Sequence, residues 1–180
     1  PGNNELTFNR MEVDDEETQE VRQGDSVKLI GAFLEAGQDD KEMPRLVLGH
    51  VISLWTRQPA QECSCFLAFL AILCEPVKGK LRAGFRASLD AHAARVPCEI
   101  EMIVSRRASR GSRRFSNPEA LLAGDLTEVW ITPLQPICLE VFRSCPGLGR
   151  IAIRHEGLTL AAGVVSSVRR TRREQAFFED

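Results

Sequence analysis

Two alternating apolar runs separated by a single turn constrain this chain more than any other feature. They lie within residues 148–165, on either side of His155-Glu156-Gly157. Successive side chains of a strand point to opposite faces, so Ile151 and Ile153 would enter a core. The other face would carry Arg150, Ala152 and Arg154. The pattern predicts a β-hairpin with a basic stripe, and a function in binding an acidic partner rather than in catalysis.

The rest of the chain has the spacing of an all-β protein. Short apolar segments recur about every ten residues and are separated by Gly, Pro, Asp and Arg clusters, as in a sandwich or barrel. One short helix is predicted over 118–123, with Ser116 or Asn117 able to cap it and Gly124 able to end it. The predicted strands lie near 5–13, 26–33, 45–54, 63–74, 84–92, 97–105, 127–132, 136–143, 149–154 and 158–168.

Two strands begin with the same device, Gly24-Asp25 and Gly124-Asp125, where glycine permits a tight turn and aspartate can bond nearby backbone N–H groups. This repetition indicates two related barrels. Proline and polar residues near 55–60 mark the boundary. The predicted organisation is a first barrel over 1–57, a second over 60–168 and a charged tail over 169–180.

The charge pattern limits nucleic-acid binding to local clusters. The formal net charge is −2, so the whole chain has no strong attraction for phosphates. The N-terminal part is acidic, whereas residues 105–115 and 169–173 are rich in arginine. For the first of these clusters two interpretations stay open, a solvated mobile loop or a contact with RNA or the ribosome. The contact would use Arg106, Arg107, Arg110, Arg113 and Arg114.

The cysteines and apolar runs predict a cytoplasmic protein. Six cysteines in a chain of this length are too few for a disulfide scaffold, so we expect reduced thiols. The longest apolar run, residues 65–74, is far shorter than the roughly 20 residues that a membrane helix needs. The N-terminus has no basic segment followed by an apolar one, so no secretory signal is expected.

The sequence predicts neither a metal site nor a catalytic residue. Cys63-Ser64-Cys65 lacks the second Cys or His pair of a structural zinc site, and alternation would place both thiols as small buried groups. A hydrolase using Cys65, Cys98 or Cys138 with His92 would need a nucleophile turn and a base-orienting group that the sequence does not show.

Four ordered motifs resemble the third domain of translational GTPases. They are Ala83–His92, Leu122–Asp125, Pro136–Phe142 and the hairpin over 148–165, and the resemblance covers roughly residues 5–168. The family includes elongation factor Tu, elongation factor 1-alpha, eukaryotic release-factor GTPases and the ribosome-rescue GTPases that partner Pelota. The resemblance implies two antiparallel β-barrels of the domain-2 and domain-3 type. Residues 1–57 resemble only the later part of domain 2, so two interpretations stay open for the first barrel: it is incomplete, or its other strands lie in unusual N-terminal sequence.

The resemblance also implies where nucleotide chemistry would lie. The family hydrolyses GTP with a Gly-x-x-x-x-Gly-Lys-Ser/Thr loop and reads guanine with Asn-Lys-x-Asp, and neither segment occurs here. The fragment is therefore expected to have no cofactor and no enzymatic activity of its own. GTP and Mg²⁺ would belong to a GTPase domain absent from this sequence.

Partner binding is the function that the resemblance implies. In release-factor GTPases the corresponding Gly-Arg hairpin and neighbouring strands help dock the C-terminal domain of the stop-codon-reading factor. The positions carried over are Arg150, Arg154, His155, Arg86 and His92. The residues alone leave another interpretation open, in which Arg150 and Arg154 pair with Glu140, Glu128 or Asp90 across the strands.

The branch of the family is less well marked. The acidic segment 11–21 before Gly24 and the turn Arg154–Gly157 resemble eukaryotic release-factor GTPases, which is the leading hypothesis. Residues 161–165 are nearer the rescue factors and elongation factor Tu, and residues 89–92 are nearer elongation factor 1-alpha. The alternatives are therefore an aminoacyl-tRNA-binding module and a Pelota-binding module.

Overall fold

The computed structural model describes residues 6–7, 10–22, 24–30, 33–34, 48–53, 60–108 and 114–170. The chain divides into two compact units. One comprises residues 1–46 and 54–59, and the other comprises residues 47–53 and 60–180. The described residues form strands, turns and irregular segments and contain no helix, which confirms the all-β prediction.

The described part of the first unit contains short antiparallel strands: β1 (Leu6–Thr7), β2 (Arg10–Val13), β3 (Glu16–Thr18), β4 (Val27–Ile30) and β5 (Phe33–Leu34). β2 pairs with both β3 and β4, and β1 pairs with β5. β3 was not predicted. The turn between β2 and β3 consists of Asp14 and Asp15, which have φ values of 51° and 64°. Aspartate tolerates this left-handed conformation better than most residues.

The second unit is built around a closed barrel. Its described strands are β6 (Cys63–Ile72), β7 (Arg86–Ala91), β8 (Ala94–Arg107), β9 (Arg114–Ser116), β10 (Leu126–Pro133), β11 (Arg150–His155) and β12 (Leu158–Arg170). Six of them form an antiparallel ring in the order β10-β6-β12-β11-β7-β8, which closes because β8 also pairs with β10. The short β9, which was not predicted, adds to the end of β8. Closure confirms the barrel predicted for this part of the chain.

The hairpin predicted around His155-Glu156-Gly157 is formed by β11 and β12. His155 pairs with Leu158, so the loop is Glu156 and Gly157, with φ values of 47° and 80°. Positive φ at both loop residues is typical of the type I′ turn, whose twist matches that of the paired strands. Ile151 and Ile153 are buried in the core, which confirms the predicted alternation.

The inward side chains of the ring strands form one apolar core. Its fully buried members include Phe66, Leu70, Leu89, Ile131, Ile153 and Leu160. Leu81 and Leu121 belong to the same core and join by an isolated β-bridge outside the named strands. Apolar burial of this kind is the dominant stabilising term of a fold. Because the core is closely packed, the pairing of the ring strands is fixed, and so are the neighbours of each outward side chain.

The helix predicted over 118–123 is wrong. The N–H of Leu121 donates to the carbonyl of Leu81 at 2.8 Å, and the N–H of Leu122 donates to Oδ2 of Asp125 at 2.8 Å. In a helix both groups would donate to carbonyls four residues earlier, so the two arrangements exclude each other. Burial of Leu121 favours the observed one, because so short a helix has little stability of its own.

The strand predicted over 136–143 is also wrong. Only an isolated bridge between Cys138 and Glu62 is formed there. The apolar alternation is present, since Ile137 and Leu139 are buried in the core. The backbone bonds to scattered partners instead of one ladder; the N–H of Phe142, for example, donates to the carbonyl of Val165 at 3.0 Å.

The strand predicted over 45–54 is not formed in its described part, because residues 48–53 are a turn followed by irregular chain. Gly49 has a φ of 96°, which is incompatible with an extended strand at that position. Residues 45–47 and 54 lie outside the described residues.

The last strand is longer than predicted. β12 ends at Arg170, so Arg169 and Arg170 belong to the sheet rather than to a tail beginning at 169. The guanidinium of Arg169 lies 4.0 Å from the Trp130 ring centroid, and Arg170 pairs with Glu140 at 2.6 Å. These two contacts hold the strand end, and residues 171–180 lie outside the described residues.

Candidate partner-binding face

Outward side chains of β7, of β11 and of the part of β8 that pairs with β7 form a charged surface that we call the arginine face. Its charged members are Arg86, Arg95, Arg150, Arg154, Asp90 and Glu99. The register places Arg154 opposite Ser88, and Asp90 between Ala152 and Arg95. Four arginines outnumber two carboxylates here, although the whole chain has a net charge of −2. The face is therefore suited to an acidic partner.

Asp90 organises the middle of this face. Arg95 donates two hydrogen bonds to it, from Nε at 2.6 Å and from Nη2 at 2.8 Å, and Nη1 of Arg154 lies 3.7 Å from Oδ2. The hydrogen bond and charge of Arg95, with the charge of Arg154, hold the pKa of the Asp90 carboxyl below its usual range against the opposing effect of burial. The cross-strand ion pair considered from sequence is thus formed by Arg154 with Asp90.

Arg150 has a different environment. Its guanidinium carbon lies 5.2 Å from the centroid of the Phe142 ring, and its side chain is exposed. Within the described ranges it makes no ion pair, because Glu140 pairs with Arg170 and Glu128 pairs with Arg114. Arg150 therefore keeps its charge available to another molecule.

Gly149 allows Phe142 to reach Arg150. A Cβ atom on Gly149 would lie 2.7 Å from the backbone N of Phe142, closer than real contacts allow, and 3.0 Å from the carbonyl O of Glu140, tighter than most real contacts. The N–H of Glu140 also donates to the carbonyl of Leu148 at 3.2 Å, which fixes the same crossing. A glycine before Arg150 thus has a local steric reason. Gly149 leaves room for the backbone of Phe142, and the Phe142 ring then lies against the Arg150 guanidinium.

The other residues predicted for this site lie near the two ends of β11. Arg86 pairs with Glu99 at 2.8 Å, and the ring of His155 packs edge-on against Phe85 with 5.0 Å between centroids. Both lie toward the Arg154 end of the face. His92 follows the last residue of β7 and so lies at the Arg150 end, where its Nε2 is 3.2 Å from the carbonyl O of Cys138.

Sequence reasoning did not select Arg95 and Phe142. The sequence did contain a signal for Arg95. A two-residue hairpin loop at 92–93 pairs Ala91 with Ala94 and so places Arg95 opposite Asp90. Phe142 had none, since its position depends on a crossing between segments that strand periodicity does not describe.

The arginine-rich segment is divided between structural and exposed side chains. Nη1 of Arg106 donates to the carbonyl of Ala120 at 3.3 Å and lies 3.6 Å from Asp125, while Arg114 pairs with Glu128. The Nε of Arg106 is buried without a hydrogen-bond partner in the described part of the chain. Arg107 is exposed, and Arg110 and Arg113 lie outside the described residues. The RNA contact stays a prediction.

Three of the six thiols, those of Cys63, Cys65 and Cys98, are buried. All six cysteines are free, and burial raises the pKa of Cys63 and of Cys98 to about 12 and that of Cys65 to about 11. The Sγ of Cys65 donates to Glu101 at 3.2 Å, which also disfavours its thiolate. These are poor conditions for a nucleophile, which must ionise to react.

Two further observations within the described ranges bear on function. No group of three or more His, Cys, Asp or Glu side chains there could hold a metal ion. The same residues include no helix with the length and apolarity needed to cross a bilayer.

Relatives with known names match most of this chain. It is 32% identical over 161 residues to elongation factor 1-alpha of Plasmodium falciparum, covering 89% of this chain and 34% of that protein. It is 33% identical over 161 residues to elongation factor 1-alpha of Tetrahymena pyriformis, covering 88% and 34%. The chain thus spans about a third of the length of these relatives.

The fold comparison agrees with the sequence comparison. A crystal structure of Sup35 complexed with GDP matches with a TM-score of 0.72 at 22% identity, covering 91% of this chain and 38% of the other. A family model described as "GTP-eEF1A C-terminal domain-like" matches residues 66–166, which include every ring strand of the barrel in whole or in large part. The resemblance to translational GTPases is confirmed, and the chain belongs to the GTP-eEF1A C-terminal domain-like family.

Proposed function

We propose that this chain is the C-terminal partner-binding module of a eukaryotic release-factor GTP-binding subunit. It docks the C-terminal domain of the stop-codon-reading release factor during translation termination. The observation that carries the proposal is Arg150, an exposed cation stacked on Phe142 and free of any ion pair in the described ranges. A held, uncompensated arginine is a suitable contact for a partner carboxylate, because its planar group can donate two parallel hydrogen bonds.

The surroundings of Arg150 support a protein partner. Arg86 and Arg154 also lie on the arginine face, but each has a carboxylate partner. Arg86 pairs with Glu99 at 2.8 Å, and Arg154 pairs with Asp90 at 3.7 Å. Paired charges at the rim of an interface contribute mainly to orientation and association rate. The arginine face therefore combines one available anchor with a polar surround, which is a common anatomy for a protein interface.

The whole protein would supply the remaining chemistry. A GTPase domain holding GTP and Mg²⁺ would drive a conformational cycle on the ribosome in the cytoplasm, and this module would keep the release factor attached. The matched Sup35 structure holds GDP. The module itself contributes no catalytic group under this proposal.

A second candidate is an aminoacyl-tRNA-binding module, which the names of the elongation factor 1-alpha relatives favour. The arginines of the arginine face would then contact phosphates of the tRNA. A Pelota-binding module of a rescue GTPase is the third candidate. It would use the same hairpin to bind a protein.

Isothermal titration calorimetry with three purified partners separates these candidates. The proposal predicts that the release-factor C-terminal domain binds most tightly and that Arg150→Glu weakens that binding about tenfold or more. Tighter binding of Pelota would assign the chain to the rescue branch. Tighter binding of aminoacyl-tRNA, with the steep salt dependence of phosphate contacts, would assign it to the elongation branch.

A further inference from the structure

A second outward surface, which we call the apolar wall, spans β12, β6, β10 and β8. The register places Val164 beside Phe69, Leu67 beside Trp130, and Trp130 beside Met102. Side chains directly opposite on one face of a sheet lie about 4.5–5.5 Å apart, and Leu67 and Phe69 are two residues apart on β6, so these five are neighbours on one face. Glu128 lies opposite Phe69 on the same face. Phe69 and Met102 are 44% and 46% exposed. The surface lies outside the ring, since Ala68 and Leu70 on β6 point into the core.

A β-bulge places Met102 on this wall. Ile100 and Ile103 are both buried although two residues lie between them where regular alternation allows one, so the extra residue lies on the outer side. The register of β8 against β10 shifts at this point, between Trp130 and Ile131. Bulges re-aim side chains without breaking a sheet, and here the outcome is an exposed methionine beside a tryptophan.

The charge at the edges of the wall is positive. The guanidinium of Arg169 lies 4.0 Å from the Trp130 ring centroid, and Arg150 is paired in register with Val164. Neither arginine has a carboxylate partner among the described residues. Of the nearby carboxylates, Glu128 pairs with Arg114, and Glu101 keeps its charge while accepting a hydrogen bond from Thr132 at 3.0 Å.

We infer that the apolar wall is a second docking surface, and that its occupant is a protein segment carrying apolar side chains together with carboxylates. The inference rests on the proposed function, because the occupant belongs to the same partner that binds Arg150. Contiguous exposed apolar surface marks interaction sites, and tryptophan, phenylalanine, methionine and arginine are enriched at the centres of protein interfaces. The two unpaired arginines select a segment with acidic residues over a neutral or basic one.

A nucleic-acid strand fits the wall less well. Single strands bind by stacking successive bases on open aromatic faces along a basic groove. Arg169 already lies over the Trp130 ring, and Leu67, Val164 and Met102 offer aliphatic groups instead of rings. The composition of the wall therefore favours protein over RNA.

The test compares the unchanged full chain with the double variant Phe69→Glu/Met102→Glu. Both side chains are exposed, so the fold should survive, and circular dichroism checks this. The added carboxylates would repel an acidic segment and remove apolar contact. The probe is the purified release-factor C-terminal domain, measured by calorimetry. The matched control is Val77→Glu, which changes a 69% exposed apolar side chain in the β6–β7 loop.

We expect the double variant to bind at least about tenfold more weakly and the control to bind within about twofold of the unchanged chain. If the unchanged chain binds and the double variant binds equally well, the wall is not a docking surface and the proposed function survives. If the unchanged chain does not bind, the proposed function and this inference both fail.

Two further arms keep the test decisive. Phe69→Ser removes the ring without adding charge and serves if the double variant does not fold; unchanged binding would overturn the inference. A fluorescent oligouridylate is the RNA probe. Binding of this probe that the double variant abolishes would replace the protein occupant with single-stranded RNA.

Discussion

The guanidinium carbon of Arg150 lies 5.2 Å from the centroid of the Phe142 ring, whereas Arg154, on the same strand, lies 3.7 Å from Asp90. The two arginines of one hairpin thus have different roles. Arg154 ties β11 to β7 and is partly neutralised. Arg150 is held against a ring that leaves its charge uncompensated, and restricting a side chain before binding lowers the entropy lost on association. Arg150 is therefore the expected anchor for a partner carboxylate.

Arg150→Lys tests whether the shape of this cation matters as well as its charge. Lysine keeps the charge but lacks the planar group that stacks on a ring and donates two parallel hydrogen bonds. We expect the release-factor C-terminal domain to bind about three- to tenfold more weakly, measured by calorimetry. Arg82→Lys, in the β6–β7 loop, is the matched control. Equal affinities for the two variants would show that charge alone is recognised.

Gly149→Ala tests the crossing that brings Phe142 to Arg150. The new Cβ would lie 2.7 Å from the backbone N of Phe142, so the segment must shift. We expect a loss of about 1–3 kcal/mol in the free energy of unfolding, measured with urea. Gly147→Ala is the control, because a Cβ there meets nothing within 4 Å. Equal stability of both variants would remove the steric role assigned to Gly149.

Asp90→Asn tests the ion-pair network between β7, β8 and β11. The pKa of Asp90 is lowered in the folded state, chiefly by Arg95, so the carboxylate stabilises the fold above the ordinary Asp pKa of about 3.9. That contribution is lost as the pH falls through the lowered pKa. We expect the variant to be less stable than the unchanged chain at pH 7, with the difference shrinking below about pH 4. Urea unfolding at several pH values measures this, with Glu119→Gln as the control. A difference that does not change with pH would contradict the assignment.

The buried thiols predict slow chemical labelling. Burial raises the pKa of Cys63 and Cys98 to about 12, and both side chains are buried in the core. Because only the thiolate reacts, we expect iodoacetamide at pH 8 to label these two residues at least about a hundredfold more slowly in the folded chain than in urea. Peptide mass spectrometry gives the rate at each site. Rapid labelling of Cys98 in the folded chain would contradict this prediction and would favour a reactive thiol at that position.

The strands that form continuous ladders were predictable from the sequence. β6, β7, β8, β10, β11 and β12 each overlap a predicted strand, because alternation reports which side chains face a core. Positive φ at Glu156 and Gly157 confirms the turn. The errors fall where the backbone bonds to distant segments. Leu121 joins Leu81 instead of a helix, and Ile137 and Leu139 are buried without a ladder.

The candidate site was predictable in part. Alternation placed Arg150 and Arg154 on one outward face, and Asp90 was among the three acidic partners considered. Alternation could not show that, of these two arginines, only Arg154 has a carboxylate partner. That outcome depends on Glu140 pairing with Arg170 and on Glu128 pairing with Arg114. Those pairs join elements far apart in sequence. Competition of this kind is a property of the closed barrel and not of any local pattern.

The most direct test of the account is the affinity of the release-factor C-terminal domain for the chain carrying Arg150→Glu and Arg154→Glu. Charge reversal on the arginine face should weaken binding about a hundredfold while circular dichroism shows the β-barrel intact. Arg82→Glu is the control and should leave the affinity unchanged. If the double variant stays folded and binds as tightly as the unchanged chain, the arginine face is not the partner-binding site.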